Sequence, residues 1–424
     1  MSTEYRKMWQ ELGLDLENHD KLLQALPEIY ASIYLSQEGR PTGMRYYDYV
    51  ISEIHGLRIK ELLEHKKRGG KVFGTFCIYV PDEKIIAAGG IAVGLCAGAD
   101  FSVPVGEKLL PRNLCALIKS FFGFKLGALC PYAEAADLLI GETTCDGKKK
   151  AWELLSEITP TYVMDLPNCK KDQDKKLWLG ELYNLMEKVE QVSGNKITAE
   201  ALSKATDLMN RKRAVLRRLF ELRKANPSPI SGLDALLVVQ ISFYDDPNRF
   251  IEKTTELCDE LEDRVRRGVG VSAPCAKRIL YSGTPMPIPF WTIYSIIEKS
   301  GAVVVAEESC TGLRLIAGNE VPLYPDSLEK QLSAIAERQM QTHCACFTPN
   351  KERIDDVVSL YHEYMANGVI HFSLSFCQPY IMESISIKKV LQEKYIPVVT
   401  LDGDYSEQQA AQLKTRIEAF LEMI

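Results

Sequence analysis

At 424 residues, 46% hydrophobic and 25% charged, the chain has the balance of a globular protein and is long for a single core. A formal net charge of −6 argues against nucleic acid or an anionic membrane as partner. The longest uncharged run, the 15 residues Ile85 to Ala99, falls short of the roughly 18–20 apolar residues of a membrane span, and no apolar signal core opens the chain, so a cytoplasmic location is expected.

In chain order, residues 1–70 read as N-terminal helices, with "HDKLLQALPEIYASIYL" supplying apolar faces. From Lys71 short apolar runs alternate with helical stretches. KVFGTFCIYV reads as a strand, DEKIIAAGG as a helix and IAVGLCAG as a strand. The helix NLCALIKSFFGF, the strand DLLIGE, the helix KKKAWELLSEI and the strand TYVMDLP follow. This alternation over 71–167 predicts a parallel α/β domain. Residues 168–274 are almost purely helical by period, and the basic cluster NRKRAVLRR there reads as a solvated helix face. At 275–424 the rhythm returns, with KRILYSGTPM, AVVVAEES, VIHFSLSF and IPVVTLDGD as strands and QQAAQLKTRIEAFLEMI as a closing helix. The predicted fold is therefore α/β, two flavodoxin- or Rossmann-like parallel-sheet domains joined by a helical segment.

Twelve cysteines are many for a reducing compartment, where disulfides are rare and thiols serve as packing, nucleophiles or metal ligands. Ligands of open parallel sheets bind beyond the carboxyl ends of the strands, and several cysteines fall there. Cys96 ends IAVGLC, Cys145 follows DLLIGETT, Cys310 follows AVVVAEES and Cys377 ends VIHFSLSFC. Cys344 and Cys346 lie in a loop between helices, Cys115 opens a helix, and Cys130 precedes Pro131. Cys77, Cys169, Cys258 and Cys275 have weaker claims, and Cys258 reads as helix packing. One strand-end cysteine is more often structural than a ligand. Eight in both domains point to a metal site at the domain interface. Zinc usually takes close pairs such as C-x₂-C, and none occurs; only six histidines are present. Thiolates from well-separated segments suit an iron–sulfur cluster.

The turn "GETTCDGKKK" invites two rival readings. Five residues separate Gly141 from Gly147 where a phosphate loop has four, and Lys149 stands where Ser or Thr should meet magnesium. A nucleophilic Cys145 has no histidine near it in sequence. Metal ligation remains, with Lys148 to Lys150 either placing positive charge beside thiolates or simply facing solvent.

"GETTCDGKKKAWELL", with "GTFCIYVPDEKIIAAGG", "RNLCALIKSFFG", "EESCTGLR", "HCACFTPN", "SFCQPYIMESISIKKVL" and "IPVVTLDGDYS", resembles the 2-hydroxyacyl-CoA dehydratase and benzoyl-CoA reductase family from about Lys71 onward. Within it the chain looks most like the branch carrying a double-cubane cluster. The resemblance implies an [8Fe–9S] centre of two [4Fe–4S] cubanes joined by sulfide, a separate homodimeric [4Fe–4S] ATPase activator that supplies low-potential electrons, a small-molecule substrate and a homodimer. It also implies the classical single-cubane ligands at Cys115, Cys145 and Cys377. Cys96, Cys130, Cys310, and Cys344 or Cys346, would serve the second cubane. Proton donors are sought beside these ligands, at Glu308 and Glu383 first, then Glu307, Ser309, Thr311 and Tyr380. The expected function is the iron–sulfur component of an ATP-dependent reductase. The alternatives are a single-[4Fe–4S] (R)-2-hydroxyacyl-CoA dehydratase or acyl-CoA reductase subunit, and an electron carrier without its own substrate.

Overall fold

The computed structural model describes residues 3–424. Eight strands form two four-stranded, all-parallel sheets. The first has β1 (Val72–Thr75), β2 (Ile91–Gly94), β3 (Leu138–Glu142) and β4 (Thr161–Met164) in the order β2-β1-β3-β4. The second has β5 (Arg278–Gly283), β6 (Val303–Glu308), β7 (Gly368–Leu374) and β8 (Val398–Gly403) in the order β6-β5-β7-β8. The two halves thus repeat one topology, and each reverses its winding between its first and third strands, where such sheets open a crevice. β1, β3, β5, β6 and β7 are buried along their whole length, as continuous apolar runs in a two-faced sheet require.

β1 is shorter than KVFGTFCIYV predicts. Phe76 N–H still reaches the Ile140 carbonyl at 3.3 Å, but the chain then turns, with Val80 N–H on the Cys77 carbonyl at 3.1 Å. Tyr79 and Val80 leave the sheet to pack in a second apolar cluster with Trp178 and Ile335. The consequence is that Cys77 stands just past a strand end, not inside a strand.

The helices between the sheets are shared packing and not a spacer. Gly232–Ile241 is buried at every position and lies on β6, where an added Cβ at Gly232 would come within 2.5 Å of Val304. Asp172–Ser193 packs on Leu328–Met340, and Trp178 Nε1–H donates to Gln339 Oε1 at 3.1 Å. One apolar core runs from the N-terminal helices (Trp9, Tyr34, Tyr47) through Val72 and Leu139 of the first sheet to Ile279 and Ile370 of the second. The two sheets are therefore held with their carboxyl ends facing a common cleft.

Candidate metal centre

That cleft contains a cavity of about 680 Å³ whose wall includes eight cysteines. The first half contributes Cys77, Cys96, Cys115 and Cys145, and the second contributes Cys310, Cys344, Cys346 and Cys377. The repeat of topology is a repeat of thiols. Cys96 and Cys310 each follow the second strand of their half by two residues, and Cys145 and Cys377 each follow the third by three.

Helix N-termini face several of these sulfurs. Cys115 is the N-cap of Ala116–Leu126, Cys145 of Asp146–Ser156 and Cys377 of Gln378–Glu393. Lys148 N–H donates to Cys145 Sγ at 3.4 Å. Unpaired N–H groups and the positive end of the helix dipole favour a thiolate at each of these positions.

The thiols fall into two groups. Hydrogen bonding from Cys377 is the largest influence lowering the Cys115 thiol, whereas Cys377 is raised by the same contact and by burial, with Cys145 acting on it as a further neighbour. In the other group, hydrogen bonds from Cys310 and Cys346 hold Cys344 well below the usual thiol range, while both of those partners are raised. Cys77 is raised by burial, with Glu142, Lys148 and Cys344 among the groups whose charge acts on it. Cys96 donates to the Phe76 carbonyl at 3.1 Å. Among the described residues no three or more His, Cys, Asp or Glu are gathered as a site for a single metal ion.

Cys130 is not part of this wall. It caps the short helix Pro131–Ala135 and packs beside Ala99, Phe124 and Leu129, and burial raises its thiol to about 11. Cys258 is fully buried on its helix, as its apolar spacing predicts. Cys77, which the sequence reading set aside, takes a place on the wall. Its place at the winding reversal of the first sheet depends on the strand order, and reading KVFGTFCIYV as one strand puts Cys77 inside a strand instead of past its end.

Positive charge is built into the wall from behind. Lys148 is buried, forms an ion pair with the fully buried Glu142, and has Cys77 and Cys96 among the groups that favour its charge. Lys149 and Lys150 face solvent. On the second half, Arg314 Nη1–H points at Cys310 Sγ, 3.5 Å away, and at the Tyr380 hydroxyl. That hydroxyl lies 3.9 Å from Cys344 Sγ.

Glu308 and Glu383 do not line the cavity. Glu308 accepts from Arg314 Nε–H at 3.0 Å and from Arg353 Nη2–H at 2.9 Å, and these guanidinium groups hold its carboxyl below the ordinary value against burial. Glu383 is ion-paired with Arg353 and accepts from Asn350 Nδ2–H at 2.6 Å. Their partners are Arg314, Arg353 and Asn350, and through these they fix the side chains behind the cavity wall. Glu307 points to the opposite face of β6, as strand alternation requires, and is bound at both oxygens by Arg223, at 2.5 and 2.9 Å. Thr311 and Tyr380 do line the cavity; Thr311 Oγ1 accepts from Met286 N–H at 3.0 Å and touches Ser309 Oγ at 3.1 Å.

Soft thiolate donors from well-separated segments, with cationic groups behind them, fit an iron–sulfur cluster. A structural zinc site, closed by four ligands at one point, would not need a cavity of this size.

Comparison with known proteins agrees with the sequence motifs. The profile of the family described as 2-hydroxyglutaryl-CoA dehydratase, D-component, matches residues 77–424. The Escherichia coli (strain K12) protein named "Putative dehydratase subunit YjiM" is 36% identical over 88% of this chain and 96% of its own length. The (R)-phenyllactyl-CoA dehydratase beta subunit of Clostridium sporogenes is 24% identical over 86% of this chain and 95% of its own. A benzoyl-CoA reductase subunit of Thauera aromatica is 23% identical over 84% of this chain and 91% of its own.

Proposed function

From its membership of the 2-hydroxyglutaryl-CoA dehydratase D-component family, to which this chain belongs, we propose that it is the iron–sulfur component of an ATP-dependent reductase of small molecules. The observation that carries this reading is the set of eight cysteines, four from each half, around one cavity. Cys115, Cys145 and Cys377 would hold one cubane. Cys310, Cys344 and Cys346 would hold the other, with Cys77 and Cys96 beside them, as an [8Fe–9S] double cubane. When bound, such a cluster supplies electrons at low potential.

The chain's own residues set the conditions for that chemistry. Lys148 and Arg314 offset the negative charge of the thiolates, and three helix N-termini act in the same sense. Tyr380 and Thr311 present hydroxyls to the cavity, Tyr380 held there by Arg314. Burial of Glu308 and Arg353 behind them keeps this hydrogen-bonded wall rigid. On this reading a separate ATPase activator and a second copy of this chain would be its partners, and the cytoplasm its compartment. No helix among the described residues is long and apolar enough to cross a membrane.

A second reading has a specific support. Cys115 and Cys377 are hydrogen-bonded to each other with Cys145 acting on both, and relatives carry the names of dehydratase and reductase subunits. On that reading the chain holds one [4Fe–4S] cluster and works beside a different subunit. Iron and acid-labile sulfide, counted per chain in anaerobically purified protein, decide between them. About eight irons supports the double cubane, about four supports the single-cubane subunit, and stoichiometric zinc without iron would overturn both.

A further inference from the structure

The wall of the cavity away from the strand ends is built from charged groups that the cluster does not need. It is formed where the helices Asp82–Ala87, Ala199–Leu222 and Leu328–Met340 meet, and it exposes Asp82, Glu83, Lys212, Arg213 and Arg338 to the cavity. Glu83 and Arg213 neutralise each other at 2.9 Å. The other three are left without ion pairs among the described residues. Lys212, only 6% exposed, donates to a single backbone carbonyl, that of Ser242. Arg338 donates to the Leu315 carbonyl at 2.8 Å, and its buried Nε–H has no partner among the described residues. The Asp82 carboxylate accepts no hydrogen bond from them. Of the carboxylates whose charge acts on Lys212, Asp82 has the largest influence, Glu83 is engaged by Arg213, and Asp245 is bound by Arg249 at 2.6 Å.

Two unpaired cations against one unpaired carboxylate leave this wall with one positive charge in excess. Desolvated cations are costly to keep without a counter-charge. The ionisation of these groups agrees: burial and the neighbouring Arg213 push Arg338 down to about 10, and burial pushes Asp82 up to about 6. Met209, Leu216 and Ile335 line the cavity beside them, so the space next to the cations is apolar. A single negative charge on a short aliphatic body satisfies both features. A dianion would overshoot the charge, and a neutral molecule would leave Lys212 and Arg338 unpaired.

We propose that this recess binds a short-chain monocarboxylate, its carboxylate on Lys212 and Arg338 and its aliphatic body against Met209 and Ile335, facing the thiol wall. That the bound molecule is the substrate rests on the reductase reading above; that the recess binds it does not. The probe is propionate, titrated calorimetrically into the anaerobically purified protein, with sulfate as the dianionic comparison. Saturable binding of one propionate per chain is expected, weakened at least ten-fold in Arg338→Gln and in Lys212→Met. Asp82→Asn, which removes the competing negative charge, should tighten binding at least three-fold, an effect that misfolding cannot imitate. Absence of propionate binding in the parent protein, equal affinity in all four proteins, or tighter binding of sulfate than of propionate would overturn the proposal. Iron measured on the same preparation reports separately on the cluster, so its absence would remove the reductase reading and leave the recess standing or falling on its own titration.

Discussion

Truncating Lys148 would leave the carboxylate of Glu142, fully buried at the end of β3, without its counter-ion. Stranding one partner of a buried pair costs about 3–5 kcal/mol, whereas neutralising both costs far less. Lys148→Met should therefore lower the urea midpoint strongly, and Lys148→Met with Glu142→Gln should regain most of the loss. Equal losses in the single and double variants would show that the pair is not what holds this turn. The cysteines allow a sharper contrast. Cys77→Ser should reduce the iron retained, because Cys77 lines the cavity with seven other thiols, and Cys130→Ser should leave iron unchanged, because Cys130 packs beside Phe124 and Leu129. Iron analysis giving the reverse order would restore the sequence reading of these two residues. Side-chain type and strand-end position are visible in a sequence, but the turn that ends β1 at Thr75 goes with Tyr79 and Val80 packing on Trp178 and Ile335, far along the chain, and no local pattern shows it. Glu308 and Glu383 were equally illegible, since their partners Arg314 and Arg353 come from separate segments.

Among the elements, the strands and helices around Cys145 were largely legible, because β3 is a continuous apolar run and Asp146–Ser156 has a charged outer face. What pins them together is Gly141, where an added Cβ would come within 2.4 Å of the Trp152 indole. Gly141→Ala should destabilise the protein by about 1–3 kcal/mol through overpacking of strand on helix. An unchanged urea midpoint would contradict that. The N-terminal helices give a pH dependence. His19 and His55 are buried, with His19 Nε2 and His55 Nδ1 2.9 Å apart, and burial lowers them to about 4 and about 3. Their neutral forms are favoured in the fold, so this contribution is complete above the ordinary histidine value near 6.5. It is lost as pH falls from there toward 4, because the unfolded chain takes up protons the folded one refuses. At pH 5 the loss is about 2 kcal/mol per histidine. The urea midpoint should fall between pH 7 and 5, and His55→Gln should flatten the slope; identical slopes would count against the pair.

At the scale of the whole molecule, alternating strand and helix patterns sufficed to expect two parallel sheets, but not their identical strand order, which depends on pairings between distant segments. The shared core of the middle helices was hidden for the same reason. The duplicated topology is what brings thiols of both halves to one cavity, and the turn from Gly141 to Lys149 departs from a phosphate loop in spacing, in keeping with the proposal that a separate activator hydrolyses ATP. The purified chain should show no ATPase activity, and reduction of a small molecule should start only when activator and Mg-ATP are added; intrinsic hydrolysis would contradict this division. One iron–sulfur cofactor held jointly by both halves is what the duplicated arrangement of thiols implies. Anomalous diffraction at the iron edge from anaerobically grown crystals tests it most directly. Iron density is expected in the cavity, bonded to Cys145 of the first half and to Cys377 and Cys344 of the second. Density bonded to cysteines of one half alone, or an anomalous signal at the zinc edge instead, would contradict it.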